Sequence, residues 1–469
     1  MRLKYIILLL LTVPLSIVIG CKKLVEVDVP SNQVTTASVF NNDNTAIAAQ
    51  LSIYAQMLSV PYTLNASTGL SADEFTNFSS GLTYIDLYRN ALKAQADGNG
   101  LIWGTAFNYI YQENAIIENT RNAKLISPVV RNLLLGEGYF GRAYWYFNLT
   151  SLYGDVPLIT STDYKTNTLL ARTPRAQVLQ QIVSDLRASK TSLSQKYLDA
   201  TDTTETEDRV RPTTWAASAL LSRVYLLSSK YDSAELEAST VINNTSLFSL
   251  VDLSSVFLKN SKEAIWQLMP NTSSVSTPDG DGFILIKRPG TTSALENCCS
   301  ISPQLLNAFD SGDQRMVNWI GSYTDGTSTW SFPNKYKDNS STSSSLKEYS
   351  MVLRIGEQYL NRAEARARQN KLDLAIADIN AIRERAGLSD LDPALNQTQV
   401  ISAVAHERQV ELFAEGQRWL DLKRTGAIDS VMSKVSLQKG NPWGTHQQLY
   451  PLPLSDIQTA VNLVQNPGY

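Results

Sequence analysis

Residues Glu357–Gly387 read EQYLNRAEARARQNKLDLAIADINAIRERAG, and Trp215–Ile242 read WAASALLSRVYLLSSKYDSAELEASTVI. Arg362, Ala363, Arg366, Ala375, Ile379 and Ile382 in the first stretch stand at the same offsets as Leu221, Ser222, Tyr225, Ala234, Ala238 and Val241 in the second. Small residues at the second and fourth of these positions (Ala363 with Ala375, Ser222 with Ala234) let two antiparallel helices approach closely.

Matched helical pairs of this kind follow the logic of the tetratricopeptide repeat, although the usual proline and several large residues are missing. Such repeats stack into superhelical scaffolds that most often serve binding. The helical texture extends towards the N-terminus. In AIAAQLSIYAQML, Ile47, Leu51, Tyr54 and Leu58 fall three and four apart, on one helix face. TAFNYIYQENAIIENT (105–120) is a second such stretch. RNLLLGEGYFGRAYWYFNLTSLYG (131–154) is a third, with Leu134, Tyr139, Ala143, Tyr146 and Leu149 in helical register. It is expected to stop at Gly154 and leave in extended form before Pro157. The fold class expected is mainly α: a tetratricopeptide-like helical-pair scaffold with long loops and a few short strands.

Between the two matched pairs, residues 246–348 change character, with Gly, Ser, Thr, Asn and Pro dominating. AIWQLM (264–269) and GFILIK (282–287) look strand-like, and DNSSTSSSLKEY (338–349) reads as an exposed loop. Trp319, Tyr323, Trp330, Phe332 and Tyr336 persist in this region. Such rings either pack onto the scaffold or are displayed to a ligand. Three parts are expected: helical 39–245, loop-rich and ligand-binding 246–348, and helical 349–469.

The chain begins MRLKYIILLLLTVPLSIVIGC. A positive start, an apolar run too short to be a permanent span, and a small residue before cysteine mark residues 1–20 as a lipoprotein signal peptide. Cys21 is then the lipidated residue, carrying palmitate-type acyl chains, and residues 21–38 form a tether. No later stretch approaches membrane-spanning length. With 41 basic and 44 acidic residues and a net charge of -3, no basic stripe exists to follow nucleic-acid phosphates. The two histidines exclude a histidine-rich metal centre, and Val410 stands where a zinc-peptidase helix would need its second histidine. No cofactor motif appears. Cys298 and Cys299 are adjacent; they either close a strained vicinal disulfide ring or remain two buried thiols.

In His406–Arg424, Arg408 with Glu411 and Glu415 with Arg418 lie three apart, as ion pairs on one helix would. Basic neighbours keep these acids ionised, the opposite of what a general acid needs. Binding therefore falls to aromatics. Sugar rings present apolar C–H faces that stack on flat rings, with polar groups meeting the hydroxyls. SADEFTNFSSGLTYIDLYRN (71–90) offers Asp73, Glu74, Phe75, Phe78 and Tyr84. NWIGSYTDGTSTWSFPNKY (318–336) offers Trp319, Tyr323, Asp325 and Trp330. Trp103, Tyr109 and Trp266 are assigned to the scaffold. Tyr144, Trp145, Tyr146 and Phe147 share one helix and cannot all face inward, so some should meet a second helix or a partner.

GRAYWYFNLTSLYGDVPLI (141–159), VLRIGEQYLNRAEARARQNKLDLAIADINAIRERAGL (352–388), HERQVELFAEGQRWLDLKRTG (406–426) and the end YPLPLSDIQTAVNLVQNPGY, in that order behind a lipoprotein start, carry a resemblance. The chain resembles the SusD/RagB family of nutrient-binding outer-membrane lipoproteins. The resemblance implies a tetratricopeptide-like core with the ligand site on long loops. It implies that the two aromatic regions converge on one face, and that the protein sits on the cell surface as a lid over a SusC-like TonB-dependent transporter. Members capture oligosaccharides or, in some branches, peptides, and deliver them without chemistry. A surface glycan-degrading enzyme and a purely structural repeat protein are the competing classes.

Overall fold

Local chemistry sets where the long helices begin and end. The computed structural model describes residues 39–95, 100–271, 274–290 and 293–469 of the protein, and Phe40–Tyr469 cluster as one unit. The expected signal segment, Cys21 and the tether 21–38 lie outside the described residues. Helix α1 spans Asp43–Gln56 and starts where the Asn42 side chain accepts the Thr45 amide. Then follow α2 (Val60–Ser71), α3 (Leu82–Arg89) and α4 (Gly100–Asn122). Helix α5 (Pro128–Tyr153) opens on Ser127 with Pro128 in its first turn. It stops at Gly154, whose φ of 78° is left-handed, and Val156 leaves in an extended bridge to Thr173 as expected.

Helices α6 (Arg175–Ser192), α7 (Thr214–Leu227) and α8 (Tyr231–Ile242) complete the N-terminal half. After the insertion come α9 (Ile355–Arg368), α10 (Leu372–Arg385), α11 (Gln397–Glu411), α12 (Arg418–Arg424) and α13 (Ile428–Lys439). From α4 to α11 each helix packs on the next, and α8 packs on α9 across the whole insertion. The fold is mainly α, a stack of helical pairs with few short strands. Ala234, Ala238, Ala363 and Ala375 are fully buried at the close contacts their size permits. In the second pair, Arg362 and Arg366 replace Leu221 and Tyr225. Both arginines reach Asp378 of α10, at 2.7 and 2.8 Å, so an ion pair fills the seam that apolar side chains fill in the first.

Two short antiparallel sheets tie the insertion to the chain on either side of it, and a third lies within it. β1 (Phe75–Asn77) pairs with β3 (Cys299–Ile301), β2 (Ala264–Leu268) with β6 (Ser350–Arg354), and β4 (Ile320–Thr324) with β5 (Thr329–Pro333). AIWQLM thus supplies β2, whereas GFILIK is no strand. Gly282 and Phe283 end a short helix, Pro278–Phe283, because Thr277 caps the Gly280 amide. Only the middle of DNSSTSSSLKEY is exposed; Asp338, Asn339, Glu348 and Tyr349 are buried at its two ends.

The four aromatics of α5 correct the expectation that they cannot all face inward, and they meet neighbouring helices, as one of the two expected alternatives had it. Tyr144, Trp145, Tyr146 and Phe147 are all buried, because α5 is the central helix and packs on α1, α4, α6 and α7. Trp145 stacks on Tyr109 at 4.7 Å, Tyr144 meets Trp266 edge-on at 5.7 Å, and Tyr146 donates to the Ile159 carbonyl at 2.9 Å. Each ring contributes roughly 1.5–3 kcal/mol through burial. Trp103 and Trp266 are core residues, as assigned.

Candidate functional site

The β4–β5 hairpin places side chains by strand alternation, so Tyr323 and Trp330, directly opposite in register, emerge on the same face. Their rings lie 6.2 Å apart and 29° from parallel. On the same hairpin face Phe332 joins Ile284 and Leu285 in a small buried cluster, and Tyr323 and Trp330 pack half-buried against it. Gly321 is required here, since a Cβ would lie 2.4 Å from the Phe332 ring. At the tip, Asp325 Oδ1 accepts the Thr327 and Ser328 amides, each at 2.9 Å. Those amides, that of Ser328 first, hold the Asp325 carboxyl below the usual range, so it stays ionised as a turn brace.

Phe78 reaches the same face from the other predicted region. The β1–β3 ladder continues past Asn77, with the Phe78 and Ser79 amides donating to the Cys298 carbonyl at 2.6 and 3.2 Å. Phe78 is 36% exposed and stands edge-on to Trp330, ring centres 6.5 Å apart. Gly290, with φ 81°, lies against Phe78 two residues after Arg288; a Cβ there would sit 2.4 Å from the Phe78 carbonyl oxygen. That approach sets the Arg288 guanidinium over Trp330, 5.8 Å from the ring centre. The result is a face of exposed Phe78 and half-buried Tyr323 and Trp330, edged by Arg288.

The other expected site residues lie elsewhere, each for a physical reason. Trp319 is fully buried: its indole donates to the Leu253 carbonyl at 2.9 Å, and it packs between Phe257 and Phe413. Phe75 is buried in β1 against Phe283. Asp73 is buried and accepts a two-pronged pair from Arg418, at 2.7 and 2.8 Å. These three are structural and are withdrawn from the ligand site. Tyr84 is half-buried on α3, beside the turn at Gly81, and has no ring contact with the other three among the described residues. Cys298 and Cys299 are two buried thiols rather than a disulfide. The Cys298 carbonyl and the register of Cys299 with Asn77 hold their shared peptide in the ladder, which a vicinal ring would have to distort. Arg288 escaped the sequence reading because it follows no helical or strand periodicity.

The charged run His406–Arg424 is a structural network, as read, but not with the expected partners. Ala414 and Gly416 adopt left-handed φ of 58° and 75°, so the run breaks into α11 and α12 between Glu415 and Arg418, while Arg408 and Glu411 share α11 but each turn to other partners. Glu411 instead takes Arg354 at 2.6 Å, Arg385 at 2.5 Å and Arg315 at 3.1 Å. Arg354 and Lys335 hold Glu415 at 2.7 and 2.5 Å, and Arg408 holds Asp421 at 2.7 Å. Burial opposes ionisation of Glu411, but the Arg385, Arg354 and Arg315 charges outweigh it and keep the carboxyl far below its usual range. Arg315 and Lys335 belong to the insertion, Arg354 to β6, Arg385 to α10 and Glu411 to α11, so the network welds the loop-rich part to the scaffold. Among the described residues no group of His, Cys, Asp and Glu could hold a metal ion, and no helix is long and apolar enough to cross a membrane.

Comparison with known proteins places this architecture. A model of the SusD family matches residues 317–469, and one described as starch-binding associating with outer membrane matches 26–226. SusD-like protein P2 of Formosa agariphila is 26% identical over 429 residues, covering 80% of this chain and 82% of that protein. The starch-binding protein SusD of Bacteroides thetaiotaomicron is 31% identical over 173 residues, 35% of this chain and 30% of that one. The solved structure of a laminarin-binding SusD-like protein superposes with a TM-score of 0.75 at 22% identity, covering 92% of this chain and 100% of that one. With its stack of helical pairs, its insertion and both family models matched, the chain belongs to the SusD/RagB family.

Proposed function

We propose that the protein is a lipid-anchored, surface-exposed glycan-binding protein. It captures an oligosaccharide on the Phe78–Tyr323–Trp330 face and hands it to a SusC-like TonB-dependent transporter in the outer membrane. The observation that carries this reading is the convergence of rings from two distant segments onto one face. The names of relatives support it: one is a starch-binding protein and one binds laminarin, and the description of a matching family model joins starch binding to the outer membrane. The anchor in this reading is Cys21, behind the segment MRLKYIILLLLTVPLSIVIG.

The chemistry of the face suits capture without reaction. Flat rings take the C–H faces of sugars, each contact giving about 0.5–1.5 kcal/mol, which yields weak and rapidly reversible binding. Hand-over to a transporter needs that reversibility. Glycoside hydrolysis needs one carboxyl that stays protonated, and Asp325 beside the face is instead held ionised by backbone amides. The test is to incubate the full chain with neutral and acidic oligosaccharides, measure binding by calorimetry and look for shortened products. Saturable binding with intact glycan supports the reading. Shortened products that vanish on substitution of a single carboxylate would overturn it in favour of an enzyme, and binding of peptides alone would redirect it to peptide uptake.

A further inference from the structure

Many arginines spend their charge inside the protein. Arg142, Arg211, Arg223, Arg315, Arg354 and Arg424 each hold a buried carboxylate partner. Arg288 does not. It is exposed, and among the described residues no carboxylate oxygen lies within 4.0 Å of it and no hydrogen bond takes up its donors. Asp325 on the neighbouring hairpin feels its charge, yet Asp325 Oδ1 is already committed to the Thr327 and Ser328 amides. The guanidinium is nonetheless positioned: it lies over Trp330, and Gly290 fixes the loop that carries it against Phe78. Lys287, also exposed, precedes it.

A guanidinium stacked on an indole keeps its fork of N–H donors pointed outward from a ring that itself takes a sugar face. The geometry points to an acidic glycan as the ligand of this face, a saccharide whose carboxylate or sulfate is met by Arg288 while its ring stacks on Trp330. Bidentate N–H donation from a planar fork matches either anion, and a charge-assisted bond is about twice as strong as a neutral one. A neutral sugar leaves this cation unpaired and gains nothing from it. The inference rests on the glycan-binding reading above and deepens it by naming the substrate class.

The test titrates the full chain in detergent with a polygalacturonate oligosaccharide, a sulfated galactan oligosaccharide and a neutral β-glucan oligosaccharide. One acidic probe should bind about tenfold or more tighter than the neutral one at low salt, and its advantage should shrink as sodium chloride rises from about 50 to 500 mM. Which acidic probe wins tells carboxylate from sulfate. Arg288→Gln should weaken the acidic probe about tenfold and leave the neutral one within about twofold, while Arg288→Lys should fall between because it keeps the charge and loses the fork. Neutral glycan bound as tightly as acidic glycan, or an acidic affinity that Arg288→Gln does not change, overturns the acidic ligand and leaves the aromatic face standing. Failure of every probe, with Trp330→Ala changing nothing, removes both.

Discussion

Trp319 and Trp330 stand on the same stretch of chain and both lie under cations, yet they do opposite work. Lys335 sits 4.7 Å above the Trp319 ring, with Arg385 at 5.5 Å and Arg354 at 5.9 Å. Arg288 sits 5.8 Å above Trp330. The cations over Trp319 are answered by Glu263, Glu411 and Glu415, so that site is closed and saturated. The cation over Trp330 has no carboxylate within 4.0 Å among the described residues and feels only the more distant charge of Asp325. Stacking alone therefore does not mark a ligand site; the supply of carboxylates around the stack separates structural use from a surface held open for a partner.

The sharpest way to break this contrast is to remove Glu411. Glu411→Ala removes the carboxylate that Arg315, Arg354 and Arg385 share and leaves the buried cluster short of negative charge, with Asp313, Glu407, Glu263 and Glu415 as the remaining partners of these arginines, at a cost of about 3–5 kcal/mol. Urea denaturation should show the loss, and glycan affinity per folded molecule should not change. Trp319→Ala should cost about 3–5 kcal/mol through the cavity it leaves, again visible in denaturation midpoints. Similar stability to the parent for either variant would show that the network and its ring do not hold the insertion in place.

A smaller effect is expected from pH. Glu411, Glu415, Glu364 and Asp421 are held below their ordinary range, since neighbouring arginines outweigh burial. The unfolded chain therefore binds more protons below about pH 4.5, and the stability these groups add is lost as pH falls towards their native values. Glu74 behaves oppositely. Burial, then the charge of Asp73, pushes it up to about 8, so between about pH 4.5 and 8 the native state keeps a proton that the unfolded chain has released. Its contribution to stability declines as pH rises through that window. Glu74→Gln should remove the decline, gaining roughly 1–3 kcal/mol at pH 8 relative to pH 5. Melting curves at both values check it, and a gain equal at both would place the effect outside Glu74 ionisation.

What the sequence revealed and what it hid follow from the range of the interactions. The matched offsets of Arg362–Ile382 and Leu221–Val241 record contacts within neighbouring helices, so the helical pairs were legible. The partners of Asp73, Glu411 and Glu415 come from elements far along the chain, and left-handed Ala414 and Gly416 break the local register that suggested other pairs. The aromatic-rich stretch 318–336 announced rings but not their sides. Strand alternation puts Tyr323 and Trp330 together on the half-buried face of the hairpin only once its register is known, while Trp319 ends the helix Gln314–Trp319 facing the core. The two adjacent cysteines revealed their state only through the ladder that holds their peptide.

The central claim is that glycan binds on the partly exposed ring and not on the buried one. Calorimetric titration of Trp330→Ala with the best-binding oligosaccharide, alongside its melting temperature, tests it most directly. Trp330 is only partly buried, so the account predicts a stability change of no more than about 1 kcal/mol together with a loss of affinity of about tenfold or more. Affinity equal to that of the parent protein, with the fold intact, would contradict it.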